Sequence, residues 1–315
     1  MSKYLVTGGA GFIGSHIVEN LLKKGESVRV LDNFSSGKKE NLLFTQNLTP
    51  DTYNLAEGDI RDYEVCLKAC QGVDYVLHQA ALRSVPKSLK SPHEYNAVNI
   101  DGILNMLNAA KECRVKRFVF ASSSSVYGDT DKFPERESDY PLLISPYALS
   151  KLAGEYYCRV FSKNYGLETV GLRYFNVFGP RQALDDEYAV VIPKFITCIL
   201  NNQSPPVHGT GKQSRDFTYI DNVVQANLLA ATASGIKCEV FNVANGKDNS
   251  VLDIVVQVNK ITGKSVKPIF TPPRAGDVFR TLADISKAKR LLKYNPQIDF
   301  KGDLKRTVEW FDKKR

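Results

Sequence analysis

The sequence predicts an α/β protein: a doubly wound parallel sheet followed by a smaller α/β part. Three observations carry that expectation. Short apolar segments of strand type alternate with amphipathic segments of helix type as far as about Arg173, and strands that are apolar throughout belong in a parallel sheet covered on both faces. A glycine-rich turn joins the first strand to the first helix. Beyond Arg173 the rhythm breaks, and Gly, Pro and Asn become frequent between Asn176 and Asp221.

Tyr4-Leu5-Val6-Thr7 reads as a buried strand. Ile13, Ile17 and Leu21 recur every fourth residue and mark one face of a helix from Gly14 to Leu22, ended by Gly25. Val28 to Leu31 is the second strand, and Thr52 to Leu55 and Val73 to Leu77 are the third and fourth. Ile100, Ile103, Leu104 and Leu107 mark an amphipathic helix. Phe118 to Ala121 is the fifth strand, Tyr147 to Phe161 is helical, and Val170 to Leu172 closes the series. In the second half Asp221 is expected to cap a helix through Ala233, and Val240 to Val243 to form a further strand. Ser250-Val251-Leu252-Asp253 has the form of a capping box that opens a helix to Ile261. Pro272-Pro273 falls in a loop before a short helix near Ile285 to Leu292. The expected division is residues 1–173, with 216–245 returning to the same body, and residues 174–315 as a smaller domain beside the strand ends.

A chain of 315 residues buries a sizeable core without cross-links. No run of about 18 apolar residues occurs, so no membrane-spanning helix is expected, and the opening residues lack the apolar region of a secretory leader. Six cysteines without C-x-x-C spacing, and only four histidines, argue against a disulfide framework or a zinc site. A reduced, cytoplasmic protein without a metal is expected. Forty-two Lys and Arg against 34 Asp and Glu give a net charge of +8. These basic residues are spread along the chain with no stripe of interleaved aromatics. They read as a Lys-rich surface rather than a nucleic-acid face, with some charge to spare for a small phosphorylated ligand.

Gly8, Gly11 and Gly14 have G-x-x-G-x-x-G spacing after a strand and before a helix. A tight turn there lets the backbone approach a pyrophosphate, and the helix N-terminus through Phe12 and Ile13 offers N–H groups and a positive dipole end. Asp32 ends the second strand, where a carboxylate accepts both ribose hydroxyls and repels a 2′-phosphate. The combination predicts NAD rather than NADP. Asp59-Ile60, after the third strand, reads equally as an adenine contact or as a loop acid.

This glycine spacing resembles the short-chain dehydrogenase/reductase superfamily, with its Rossmann-type sheet. The length and the second half resemble its extended branch, which acts on nucleotide sugars. Tyr147-Ala148-Leu149-Ser150-Lys151 is Tyr-x-x-x-Lys, and a spacing of four puts both side chains on one helical face. A phenol of ordinary pKa ~10 is a poor base, but a neighbouring ammonium lowers that value. Ser122 to Ser125, then Val126-Tyr127-Gly128, follow the fifth strand at the carboxyl edge of the sheet, where ligands of such sheets bind. The family segment implies Ser123 as the catalytic hydroxyl, with Ser124 the close alternative. Related dehydratases and decarboxylases carry a carboxylate in this segment, and this chain has serines instead. The resemblance therefore implies epimerisation. It also implies cofactor contacts at Asn33, Ala80, Arg83, Asn99, Ser122, Tyr147, Lys151 and Tyr174.

The second half carries three further segments of the same likeness. Arg173 to Pro180 resembles the stretch where an Asn, here Asn176, meets the phosphates of a nucleotide sugar. By resemblance Arg215 and Arg274 hold a UDP diphosphate, for which the planar fork of Arg is suited. Asp277 would meet a uridine ribose. Val190, Arg83, Ser123, Ser124 and Tyr147 also belong to the implied sugar site, and Thr281 aligns beside the sugar C2 substituent. The likeness is closest to bacterial UDP-N-acetylglucosamine 4-epimerases, on residues 80–88, 99–102, 188–194 and 214–217. Arg83 departs from the Lys of galactose-type epimerases. The implied reaction is NAD-dependent 4-epimerisation of UDP-GlcNAc and UDP-GalNAc, extending to UDP-glucose and UDP-galactose. A UDP-glucuronate 4-epimerase and a non-catalytic NAD-binding regulator are the alternatives. The family also implies a homodimer whose helices around Ile100 and Tyr156 pair into a four-helix bundle.

Overall fold

Helices cover both faces of one parallel sheet, which is why its inner strands are apolar nearly throughout. The computed structural model describes residues 1–183, 191–273, 278–297 and 299–314. The strands are β1 (Lys3–Thr7), β2 (Ser27–Asp32), β3 (Tyr53–Glu57), β4 (Tyr75–His78), β5 (Arg117–Ser123), β6 (Glu168–Tyr174) and β7 (Glu239–Val243). They lie in the order β7-β6-β5-β4-β1-β2-β3, every neighbouring pair parallel. Because all run the same way, Thr7, Asp32, His78, Ser123 and Tyr174 meet along one carboxyl edge. The order reverses between β1 and β4, the switch point at which such sheets bind ligands.

The helices are α1 (Phe12–Lys23), α2 (Tyr63–Cys70), α3 (Val85–Lys90), α4 (Pro92–Asn96), α5 (Gly102–Glu112), α6 (Pro146–Tyr165), α7 (Val191–Leu200), α8 (Ile220–Thr232), α9 (Val251–Thr262), α10 (Ser286–Leu292) and α11 (Phe300–Lys313). On one face Ile17, Val18 and Leu21 of α1 join Val223 and Val224 of α8 against the sheet. On the other, Cys66 of α2, Met106 and Leu107 of α5 and Phe161 of α6 form a second layer. Beside the strand ends, α7 packs against α9 and α11. Short pairings 206–208 with 269–271 and 214–215 with 249–250 complete this part.

Several elements differ from the sequence reading. The helix expected around Ile100 begins as a π-helical turn, Ala97–Asp101, that runs into α5. Asp221 does not cap α8. Tyr219 does, without a side-chain bond, and Asp221 sits in the first turn, where its charge suits the helix dipole. The capping box at Ser250 and Asp253 is formed as expected, with both reciprocal bonds. Helices α2, α3, α4, α7 and α11 have no counterpart in the sequence reading. In α7 the run VIPKFITCIL is broken only by Lys194 and Thr197 on its less buried side, and a short apolar run of this kind reads equally as a buried strand. Helix α2 has only 8 residues, too few for a periodic signal, although Asp62 caps it with two N–H bonds.

Candidate active site

The carboxyl edge of the sheet opens into a cavity of about 990 Å³ that reaches from the Gly8–Gly14 turn to Thr281. At the turn, Gly8 has φ +65, and a Cβ on it would lie 2.8 Å from the backbone N of Ala80. A Cβ on Gly14 would lie 2.1 Å from the Gly8 carbonyl oxygen. Only glycine allows this fold of the chain. Gly11 caps α1 without a side-chain bond, so Phe12 and Ile13 present the helix N-terminus to the cavity. A pyrophosphate fits such a cradle.

Asp32 is buried at the end of β2. Its carboxylate accepts from Ala10 N at 2.9 Å and Phe34 N at 2.8 Å, and burial pushes its pKa up. Asn33 lies on the rim and donates to Asp59 at 2.8 Å. Asp59 is also gripped by Arg61, whose hydrogen bonds hold its carboxyl well below the usual range, while Ile60 beside it is buried in the cavity wall. Ala80 lines the cavity and donates its N–H to Thr7. Asn99 stands behind the wall: it brackets Leu82 through both backbone groups and donates to Ser150 at 3.0 Å. It braces the loop that carries Ala80 and the exposed Arg83.

Tyr147 and Lys151 lie one turn apart at the start of α6, whose N-cap Ser145 accepts from Ala148 N. Both side chains face the cavity. Lys151 is buried and donates to the Ala121 carbonyl at 2.8 Å, with its Nζ 5.9 Å from the Tyr147 ring centre. Burial holds the Lys151 pKa down to about 7. Burial pushes the Tyr147 phenol up, and the Ser123 hydroxyl and the Arg83 charge pull it back. Ser123 accepts from the N–H and the hydroxyl of Ser125, at 3.2 and 3.0 Å. Ser124 lines the same wall. Ser122 is turned inward, donating to Glu155 at 2.5 Å.

Tyr174 lines the cavity and joins Gln79 and Asn227 in a buried hydrogen-bonded cluster. Further along, Asn176 (φ +34) donates to the Thr281 hydroxyl at 2.9 Å. That hydroxyl also accepts from Asp216 N. Arg215 holds the carbonyls of Ser214, Val278 and Phe279. Val190, Arg274 and Asp277 lie outside the described residues. Four residues of the wall or its support escaped the sequence reading. Tyr95 donates to the Arg83 carbonyl at 2.5 Å and meets the Tyr147 ring edge-on. Glu155 anchors Ser122. Glu135 is a buried carboxyl in the cavity wall, pushed by burial to about 8. Gln182 is buried there too, and among the described residues its Oε1 has no hydrogen-bond partner. Only Glu155 had a local signal, its place two turns beyond Tyr147 on the same helical face.

Among the described residues no cluster of three metal-binding side chains occurs, and no helix is long and apolar enough to cross a membrane. Residues 4–244 match the model of the NAD dependent epimerase/dehydratase family. The chain is 35% identical over 313 residues to a UDP-glucose 4-epimerase of Mycolicibacterium smegmatis, covering 98% of each protein. It is 41% identical to the solved UDP-N-acetylglucosamine 4-epimerase of Methanobrevibacter ruminantium, in complex with UDP-N-acetylmuramic acid. The TM-score is 0.94, with 100% and 99% of the two chains covered. A UDP-glucuronic acid 4-epimerase of Bacillus cereus, in complex with UDP-glucuronic acid and NAD, is 34% identical. There the TM-score is 0.91, and 99% and 100% are covered. The chain belongs to the NAD dependent epimerase/dehydratase family, as a UDP-sugar 4-epimerase whose cofactor is NAD.

Proposed function

We propose that this epimerase interconverts UDP-N-acetylglucosamine and UDP-N-acetylgalactosamine, and accepts the UDP-glucose and UDP-galactose pair. The observation that carries the sugar choice is the wall at Thr281. Epimerases restricted to the plain hexoses resemble this chain but carry a bulky Tyr at that position. A threonine, drawn against Asn176 by its hydroxyl, leaves room for an acetamido group.

Bound NAD supplies the oxidant for the sugar C4 and later the reductant that restores it. Tyr147 acts as the base that takes the proton from the 4-hydroxyl and returns it to the same oxygen once the keto sugar has turned over. Its pKa must fall for this, and Ser123 and Arg83 act in that direction. Ser123 holds the reacting oxygen, with its own lone pairs occupied by Ser125 so that its proton is free to point outward. Ser124 is the alternative for that role. Lys151 binds the nicotinamide ribose. Gly8, Gly11, Phe12, Ile13 and Gly14 cradle the pyrophosphate, and Asp32 and Asn33 meet the adenosine ribose. Asp59, Ile60, Ala80 and Tyr174 complete the cofactor wall, with Asn99 bracing it. Asn176 and Arg215, with Arg274, Asp277 and Val190, anchor the UDP while the keto sugar turns.

Residues 1–173 with 216–245 form the NAD-binding body, and residues 174–315 supply the rest of the sugar site. Leu149, Tyr156 and Val160 leave α6 with an exposed apolar stripe, Tyr156 being 58% exposed. An exposed apolar stripe on a helix supports the homodimer through a four-helix bundle. Incubation with UDP-GlcNAc, UDP-glucose and UDP-glucuronate in separate reactions tests the reading. Formation of UDP-GalNAc is expected, with slower UDP-galactose. Turnover of UDP-glucuronate alone would replace this reading with that of a glucuronate epimerase, and no turnover of any sugar would favour a regulator.

A further inference from the structure

We propose that Glu155 is a positioning residue: by holding Ser122 and Arg173 it sets the spacing between Ser123 and Tyr147. The inference rests on the roles given above to those two residues. Tyr147, Lys151 and Glu155 follow one another at four-residue intervals on one face of α6. The first two reach the cavity, and the third is buried against the sheet. Its carboxylate accepts the Ser122 hydroxyl at 2.5 Å and both prongs of Arg173, at 2.9 and 2.8 Å. Arg173 lies on β6, directly beside Ser122 in the register of β5 and β6.

The same pair reaches the far side of the serine run. The Arg173 guanidinium stands 4.8 Å over the ring of Tyr127, and the Tyr127 hydroxyl donates to Asn242 on β7 at 2.6 Å. Ser123 is therefore held between two tethers, Ser122 before it and Tyr127 after it, and both end on one ion pair. That ion pair grows from the helix that carries Tyr147. The arrangement is costly as mere packing. Buried ion pairs lose much of their attraction to desolvation, and apolar residues of like volume often replace them without loss. Among the described residues Arg173 Nη1 even lacks a hydrogen-bond partner. What the pair gives is direction: two fixed prongs and a short hydroxyl bond leave α6 no freedom to slide along β5. A shift of about 1 Å between reacting groups costs up to 10²-fold in rate.

The test uses the NAD-loaded enzyme and two variants. Ser122→Ala cuts the tether and keeps the ion pair. The double variant Glu155→Leu, Arg173→Met removes the pair without leaving one charge buried alone. Each is expected to lower kcat by about 10- to 100-fold with KM within about two-fold of the parent. The acid limb of the pH–kcat profile should move to higher pH, because Tyr147 loses part of the Ser123 contact that holds its pKa down. Unchanged kcat in Ser122→Ala, or a fall in melting temperature with the pH profile unmoved, overturns the inference. Tyr147→Phe is run alongside. If that variant keeps full turnover, the reading of the site has failed; if it is dead while Ser122→Ala is unaffected, only the positioning role has failed.

Discussion

Along the Gly8–Gly14 turn the cavity is walled by backbone, whereas around Asn176, Arg215 and Thr281 it is walled by side chains that hold one another. At the turn the shape follows from missing Cβ atoms: one at Gly14 would sit 2.1 Å from a carbonyl oxygen. On the sugar side the shape follows from Asn176 gripping Thr281, and Arg215 gripping the carbonyls of 278 and 279. Asp216, buried, accepts from the backbone N–H groups of Asn245, Gly246 and Ala283. A backbone cradle suits a pyrophosphate that every member of such a family must bind. A wall of mutually anchored side chains can be altered one residue at a time, which is where a choice between sugars can be made.

The largest expected effect lies where the two walls meet. Tyr147→Phe removes the proposed base and should lower kcat by about 10²- to 10⁴-fold while UDP affinity stays nearly intact. Single-turnover kinetics with a UDP affinity measurement checks both halves, and wild-type turnover would take Tyr147 out of the chemistry. Next comes the backbone wall. A 2′-phosphate would meet the buried Asp32 carboxylate, and like charges brought together cost several kcal/mol. The purified protein should carry NAD, and protein stripped of it should regain activity with NAD and not with NADP. Full recovery with NADP alone would mean that Asp32 does not face the ribose.

Those two regions were also unequally legible. Gly8, Gly11, Gly14 and Asp32 could be read because a strand, a turn and a strand end are local, and Tyr147 and Lys151 because one helical turn is local. Glu135, Gln182 and Tyr95 could not. Glu135 acquires its place from far along the chain, by exchanging backbone bonds with Leu282 and Asp284, whereas Tyr95 and Gln182 are held by backbone carbonyls of nearby loop segments, Arg83 and Val177, which carry no periodic signal. Helix α11 was missed for a different reason. Leu304, Val308 and Phe311 do form a buried stripe, but seven of its 14 residues are charged and the stripe is narrow.

The sugar wall is sharpened by one substitution. Thr281→Tyr should fill the space beside the C2 substituent and slow UDP-GlcNAc by about 10-fold or more, sparing UDP-glucose, because overpacking penalises only the larger sugar. Equal losses on both sugars would report damage to the clamp with Asn176 rather than a steric gate. Unchanged UDP-GlcNAc turnover would remove Thr281 from the choice.

The smallest expected effect is on stability against pH, and it runs in opposite directions at Lys151, where the walls meet, and at Glu135, beside the sugar wall. Burial lowers Lys151 from 10.5 to about 7, so between those values the unfolded chain binds the extra proton. The contribution of this group to stability is complete above pH 10.5 and is lost as pH falls toward 7. Burial raises Glu135 from 4.5 to about 8, so in that window the folded chain binds the extra proton. Its contribution is complete below pH 4.5 and is lost as pH rises through 8. Lys151→Met should therefore raise the melting temperature of NAD-stripped protein at pH 6 to 7 and flatten the climb above it. Glu135→Gln should raise it at pH 8 and leave it unchanged near pH 4. Shifts of a few degrees are expected for a chain of this size. Melting curves of parent and both variants across pH 4 to 10 make the comparison, and Glu135 has no burial penalty to relieve if its variant runs parallel to the parent throughout.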